Sequence, residues 1–180
     1  IFPCESRCIT CTNLYNNIGS IYIDQGDYKK ALEYYQEGLK IMKEIDFIRG
    51  IAGSLLNIGE VFRNQGYYEL SLSYYRKSLK IFEEIGDNKG MAASYNNIGL
   101  IYEYQGNYEK ALEFHDKSLK TKEKIGDKEG MAATYTNIGN ICNFQENYEQ
   151  ALAYYYKSLK IDKEIGYKKG MASTFGNLGI

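Results

Sequence analysis

Displaced by 40 residues, the sequence falls on itself without a gap. Asn17-Ile18-Gly19, Asn57-Ile58-Gly59, Asn97-Ile98-Gly99, Asn137-Ile138-Gly139 and Asn177-Leu178-Gly179 all come into register. Residues 87–126 and 127–166 agree at 22 of 40 positions, far beyond what shared composition produces. A strict period of this length means one supersecondary unit used serially, each copy burying its apolar face against the next. A chain of 180 residues holds four to five such units.

Two helices fit each unit. Met91, Tyr95, Ile98 and Tyr102 recur at steps of four, three and four, which places them on one helical face. Beyond Gln105-Gly106-Asn107, the residues Tyr108, Ala111, Leu112, His115, Leu119 and Ile125 recur at helical spacing again. We term these helix A and helix B. Gly106 can end helix A in the left-handed conformation, and the Asn107 side chain can cap helix B; Gly26 with Asp27, Gly86 with Asp87 and Gly126 with Asp127 offer the same two functions. One proline in the whole chain agrees with helices in series. A glycine inside a helix costs about 1 kcal/mol relative to alanine. Its return at one phase of helix A, opposite Ala111, Ser71 or Ala151 of helix B, therefore predicts close backbone packing.

Composition narrows the function. Lysine plus arginine total 22 and aspartate plus glutamate 23, a net charge of −1 that gives no long-range attraction to nucleic acid or an anionic membrane. No apolar run approaches the length that spans a bilayer. Three of the four cysteines crowd at Cys4, Cys8 and Cys11, unlike a disulfide framework, so a reducing cytoplasmic setting is expected. The opening IFPCESRC has neither the basic start nor the apolar run of a secretory signal.

The unit carrying Tyr95, Ile98-Gly99, Tyr102, Gly106, Tyr108, Ala111 and Ser118-Leu119 resembles the tetratricopeptide repeat family. Its 40-residue spacing, Asn-Ile-Gly core and Glu-Ile-Gly-Asp link are similar to the subgroup of Pins/LGN-type polarity adaptors and bacterial signalling proteins. The resemblance implies an all-α, right-handed solenoid of stacked antiparallel helix pairs. Its units would be residues 8–46, 48–86, 88–126 and 128–166, with a partial helix A at 168–180. Residues 1–8 are expected to be irregular, and residues 9–180 to form the array. Leu55, Cys142 and Glu146 depart from the pattern, Glu146 replacing the glycine of the A–B turn. Because the periodicity is still running at the last residue, the 180 residues are expected to be a segment of a longer protein.

Chemistry-bearing residues have plainer readings. Cys4, Cys8 and Cys11 have the spacing that radical-SAM enzymes use for an iron–sulfur cluster, but those enzymes need a β/α barrel, and Cys11 already follows the repeat phase, in register with Ile51 and Met91. The single histidine, His115, is in register with Tyr35, Tyr75 and Tyr155, and Cys142 with Tyr22, Phe62 and Tyr102, so both read as core. No phosphate-binding loop, dinucleotide fingerprint or metal-ligand motif is present. Neither an enzyme activity nor a cofactor is expected.

The resemblance further implies that helix A lines a concave groove. Carried over by register, that groove presents Asn16, Asn17, Ser20, Ile23 and Asp24; Leu56, Asn57, Glu60, Arg63 and Asn64; Asn96, Asn97, Leu100, Glu103 and Tyr104; then Thr136, Asn137, Asn140, Asn143 and Phe144, with Asn177 beginning the next set. These positions vary between units as a recognition surface should, whereas the asparagine of the Asn-Ile-Gly core is constant. Asparagine is disfavoured in a helix interior by roughly 0.5 kcal/mol, so its repetition has a purpose. A carboxamide row can hold the backbone of an extended peptide, or it can fix helix stacking; both readings stand. Only Arg63 would serve a carboxylate clamp, so an internal protein or peptide segment is the expected partner. Two alternatives accompany this binding role. One is a regulatory segment of a signalling enzyme of the histidine kinase or cyclase type; the other is self-association through the terminal helix.

Overall fold

The computed structural model describes the backbone of residues 3–178 and the side chains of residues 14–177; Cys4, Cys8, Cys11 and Gly179 lie outside the described side chains. Among the described residues the chain is all-α and contains no strand. Helix A of successive repeats is α1 (Pro3–Asp24), α3 (Ile48–Asn64), α5 (Asn88–Tyr104), α7 (Lys128–Phe144) and α9 (Lys168–Leu178). Helix B is α2 (Tyr28–Glu44), α4 (Tyr68–Glu84), α6 (Tyr108–Ile125) and α8 (Tyr148–Ile165). Residues 3–8, expected to be irregular, are helical. Proline is well accommodated in a first helical turn, where no amide hydrogen is needed, and nothing between Pro3 and α1's end breaks the helix.

Every turn is built alike. Gly26 donates its amide to the Ile23 carbonyl while Asp27 donates to Tyr22, at 2.9 Å each. The same pair of bonds recurs with Gly66 and Tyr67, Gly106 and Asn107, and Gly126 and Asp127. The second residue of each pair therefore closes one helix and opens the next. As expected from sequence, Asp27 caps Lys30 N at 3.1 Å, Asn107 caps Lys110 N at 3.2 Å and Asp127 caps Gly130 N at 2.9 Å. Asn147 makes no such side-chain bond, and Phe47 and Tyr67 hold the cap position without one. With chain direction reversed in three residues, A and B lie antiparallel.

The chain divides into two compact units, residues 1–90 and 91–180. In the first, α1 packs on α2, α2 on α3 and α3 on α4. The hairpin of α3 and α4 is fastened at both ends: Ser71 Oγ donates to the Gly59 carbonyl at 2.8 Å and Ser78 Oγ to Ala52 at 2.7 Å. The expected close approach of Gly59 and Ser71 is thus a direct contact. Ala31, Tyr35, Ile58 and Val61 form the centre of the core. In the second unit, α6 packs on α7, α7 on α8 and α8 on α9, and Ser118 Oγ ties α6 to Ala92 of α5 at 2.9 Å. Ile138, Cys142, Ala151 and Tyr155 are central there.

The helix A glycine has a specific partner. A Cβ on Gly19, Gly59 or Gly139 would lie 2.6 Å from a ring carbon of Tyr35, Tyr75 or Tyr155, and one on Gly99 would lie 2.8 Å from the His115 ring. The helix B ring therefore lies directly against helix A backbone, which only glycine permits. His115, fully buried in this position, is core as its register indicated. Its nearest charged neighbour is Glu103, 3.8 Å from Nε2.

The A–B turn of the fourth repeat keeps its geometry despite Glu146, which adopts φ +59° where Gly106 has +71°. A left-handed conformation costs a residue with a Cβ about 1–2 kcal/mol. Glu146→Gly should raise the unfolding free energy by about 1 kcal/mol, after allowing for the greater chain entropy of glycine. Urea denaturation at pH 7 checks this.

Candidate peptide-binding face

All the groove positions expected from sequence lie on helix A, and the structure sorts them by what they touch. In the first unit Arg63 Nη2 pairs with Glu60 Oε1 at 2.7 Å and its Nε donates to Asn64 Oδ1 at 3.3 Å. The guanidinium is thereby engaged by its own helix. Ser20 bonds the Tyr35 hydroxyl. Burial, assisted by Glu60 and Asp24, pushes the Tyr35 phenol up to about 12, so it remains a neutral donor and acceptor near neutral pH. Asn16 is half-buried with an Oδ1 that no donor reaches among the described residues, while Asn17 and Asp24 are exposed. Leu56 and Asn57 are half-buried on α3, and Ile23 packs against the core.

In the second unit the asparagines engage one another across repeats. Asn137 Nδ2 donates to Asn96 Oδ1 of the preceding helix A at 3.3 Å. Asn177 Nδ2 donates to Asn140 Oδ1 at 3.2 Å, and the Tyr155 hydroxyl donates to that same oxygen at 2.8 Å. Thr136 Oγ1 meets Ser158 Oγ at 2.9 Å and the Ala132 carbonyl at 3.2 Å. Part of the carboxamide row therefore fixes neighbouring A helices. Asn57 and Asn97, by contrast, are half-buried and make no side-chain hydrogen bond among the described residues. Leu100 and Glu103 are half-buried, Asn143 is exposed, and Tyr104 and Phe144 are 56% and 61% exposed. Phe144 stacks on Tyr108 with centroids 6.1 Å apart, which holds its ring without covering it.

This face offers carboxamide donors and acceptors flanked by aromatic surface. Cys142 is not part of it: the thiol is buried beside Ile138, Ala151 and Tyr155, and burial pushes its pKa up, away from the reactive thiolate. The cross-repeat pairing escaped sequence reasoning because period and register identify equivalent positions, not which neighbour each side chain turns toward. What the register could have disclosed is the helix B series Met42, Phe82, Lys122 and Asp162, where buried apolar residues give way to charged ones.

Two outcomes separate structural from free carboxamides. Asn137→Ala, which removes the bond to Asn96, should lower the unfolding free energy by about 1 kcal/mol. Asn97→Ala should leave it unchanged or slightly raised, because no bond is lost and alanine is the better helix former. Denaturant titration of the two single variants decides.

Sequence comparison assigns the architecture. The model of the tetratricopeptide repeat matches residues 50–124 and 130–180, and a second model of the same description matches residues 12–43. No curated protein matches the chain. Among solved structures it is similar to BtubC (BKLC) from P. vanneervenii, at 22% identity and TM-score 0.73 over 87% of this chain and 65% of that one. It is also similar to aspartyl phosphate phosphatase F from Bacillus subtilis, at 17% identity and TM-score 0.83 over 91% and 43% of the two chains. The Rap conjugation gene regulator of the plasmid pLS20, solved in complex with the Phr* peptide, matches at 17% identity and TM-score 0.83 over 92% and 45%. The chain thus spans less than two thirds of each of these proteins. Their resemblance is one of fold, and with the repeat models covering most of the sequence, the chain belongs to the tetratricopeptide repeat family.

Proposed function

We propose that the chain binds a segment of a partner protein, extended or helical, along the concave face formed by its A helices, and that it has no catalytic activity of its own. The observation that carries this reading is the pairing of free carboxamides with exposed rings. Asn57 and Asn97 have unused hydrogen-bonding capacity, and Tyr104 and Phe144 present apolar surface on the same helix type. A carboxamide recognises peptide backbone whatever its sequence, and the rings supply anchors. Proteins of this fold do take peptides, as the Phr* complex of the pLS20 regulator illustrates. Anchors such as Leu56, Leu100, Tyr104 and Phe144 in a mostly neutral groove imply affinity that varies little with salt. The Pins/LGN-type subgroup and a cytoplasmic setting are the context this reading favours; no helix among the described residues is long and apolar enough to cross a membrane.

A second reading makes the array the regulatory part of a larger signalling enzyme. It draws on the fold shared with a conjugation regulator and an aspartyl phosphate phosphatase, and on the chain spanning less than half of either. Self-association through α9 would be a third use of the same architecture.

The test is affinity capture with residues 1–180 beside an Asn57→Ala/Asn97→Ala variant, followed by calorimetry with the captured segment. The expected result is a partner retained by the native chain and bound at least tenfold more weakly by the variant, with thermal stability unchanged. Equal binding by both would remove the free carboxamides from recognition. Mass that grows with concentration, without any captured partner, would shift the reading to self-assembly.

A further inference from the structure

Between helix B and the next helix A, each repeat places one side chain against a glycine: Met42 on Gly50, Phe82 on Gly90, Lys122 on Gly130 and Asp162 on Gly170. All four are buried. The two apolar members need nothing more. Lys122 brings its own partners, Nζ donating to Thr134 Oγ1 at 2.8 Å and to the Gly130 carbonyl at 3.1 Å. Asp162 is different. It is only 2% exposed, its Oδ1 has no hydrogen-bond partner, and no ion pair reaches it among the described residues. It also occupies the last turn of α8, where the negative end of the helix dipole opposes a carboxylate.

Asp162 lines a cavity of about 270 Å³ among α7, α8 and α9. That is room for several waters, or for one long side chain. Thr136 and Asn137, two of the proposed groove residues, form part of its wall, so it opens from the face assigned to peptide binding. Glu129 and Tyr167 also line it. Lys169 stands at the wall without pairing with Asp162. Burial, with Glu129 nearby, pushes the Asp162 carboxyl up. A buried, unpaired carboxylate is costly until a cation and hydrogen-bond donors meet it.

The geometry points to a cation-recognition pocket: a lysine or arginine side chain of the bound segment enters between α7 and α9 and pairs with Asp162, with Glu129 and Tyr167 at its side. This rests on the groove reading for the identity of the ligand, though the pocket itself can be tested apart from it.

The probe is a capped pentapeptide, Ala-Ala-Lys-Ala-Ala, titrated into isotope-labelled 1–180 while the amide resonances of Ser158, Gly170 and Thr174 are followed. Saturable shifts are expected with this peptide and not with its norleucine counterpart. Asp162→Asn, which preserves side-chain shape, should weaken binding at least tenfold, and Glu129→Gln, at an exposed position, a few-fold; circular dichroism verifies that both are folded. Butylammonium, the free-amine arm, should bind more weakly than the pentapeptide. Equal binding of lysine and norleucine peptides, or an Asp162→Asn titration like the native one, would overturn the proposal. Butylammonium as tight as the pentapeptide would overturn the peptide as the source of the cation. Binding seen only in Lys169→Gln would overturn it too, by making Lys169 the resident counter-ion. Lysine-dependent binding that persists while the Asn57/Asn97 variant captures its partner normally would uphold the pocket and reject the carboxamide reading alone.

Discussion

The ring of helix B lying on the glycine of helix A is the contact on which the remaining architecture depends. It brings two helices closer than side chains on both would allow, and it does so at Gly19, Gly59, Gly99 and Gly139 with the same register position of the following helix, tyrosine in three repeats and His115 in the other. Close approach in turn lets Ser71 reach the Gly59 carbonyl and Ser78 the Ala52 carbonyl. A glycine that lowers helix propensity is thereby offset by ring burial and by serine bonds that exist only at this spacing. The choice of tyrosine over phenylalanine at these positions has a further result. The hydroxyl of Tyr35 meets Ser20 and that of Tyr155 meets Asn140, so the core contact ends in a polar group facing the helix A surface.

That continuity links packing to recognition. Asn140 receives both the Tyr155 hydroxyl and the Asn177 carboxamide, and Asn137 reaches back to Asn96. Residues on the helix A face of the second unit are consequently oriented by the core below and by the neighbouring repeat. Asparagine at the constant position is used in two ways: Asn137 and Asn177 bond to the neighbouring helix A, whereas Asn57 and Asn97 make no side-chain hydrogen bond among the described residues. Variation at the neighbouring positions, from Arg63 through Glu103 to Asn143, then gives each repeat a different surface on one scaffold.

Much of this was legible in the sequence because the repeat supplies its own alignment. Five aligned copies mark which positions tolerate change, so helix A and helix B, the Gly106-Asn107 turn and the core character of His115 and Cys142 followed from register alone. What register cannot convey is direction and local exception. Asn137 donating to Asn96 depends on side-chain rotation, and Glu146 holding φ +59° depends on the surrounding turn bonds, Glu146 N–H to the Asn143 carbonyl and Asn147 N–H to that of Cys142, which keep a strained residue in place. Residues 3–8 precede the periodic pattern, so the period carries no sign of their helicity. Lys122 and Asp162 break an otherwise apolar series in the sequence, yet only the fold distinguishes a lysine with two partners from an aspartate whose Oδ1 has none among the described residues.

A double-mutant cycle on Gly139 and Tyr155 tests the ring-on-glycine contact most directly, with stability measured by denaturant unfolding. Gly139→Ala alone should destabilise by about 2 kcal/mol, since the new Cβ drives into the ring and outweighs alanine's helix advantage of about 1 kcal/mol. In a Tyr155→Leu background, with the ring gone, the same change should be neutral or stabilising. An equal loss in both backgrounds would mean that the ring is not what requires the glycine, and the dependence of the fold on this contact would be contradicted.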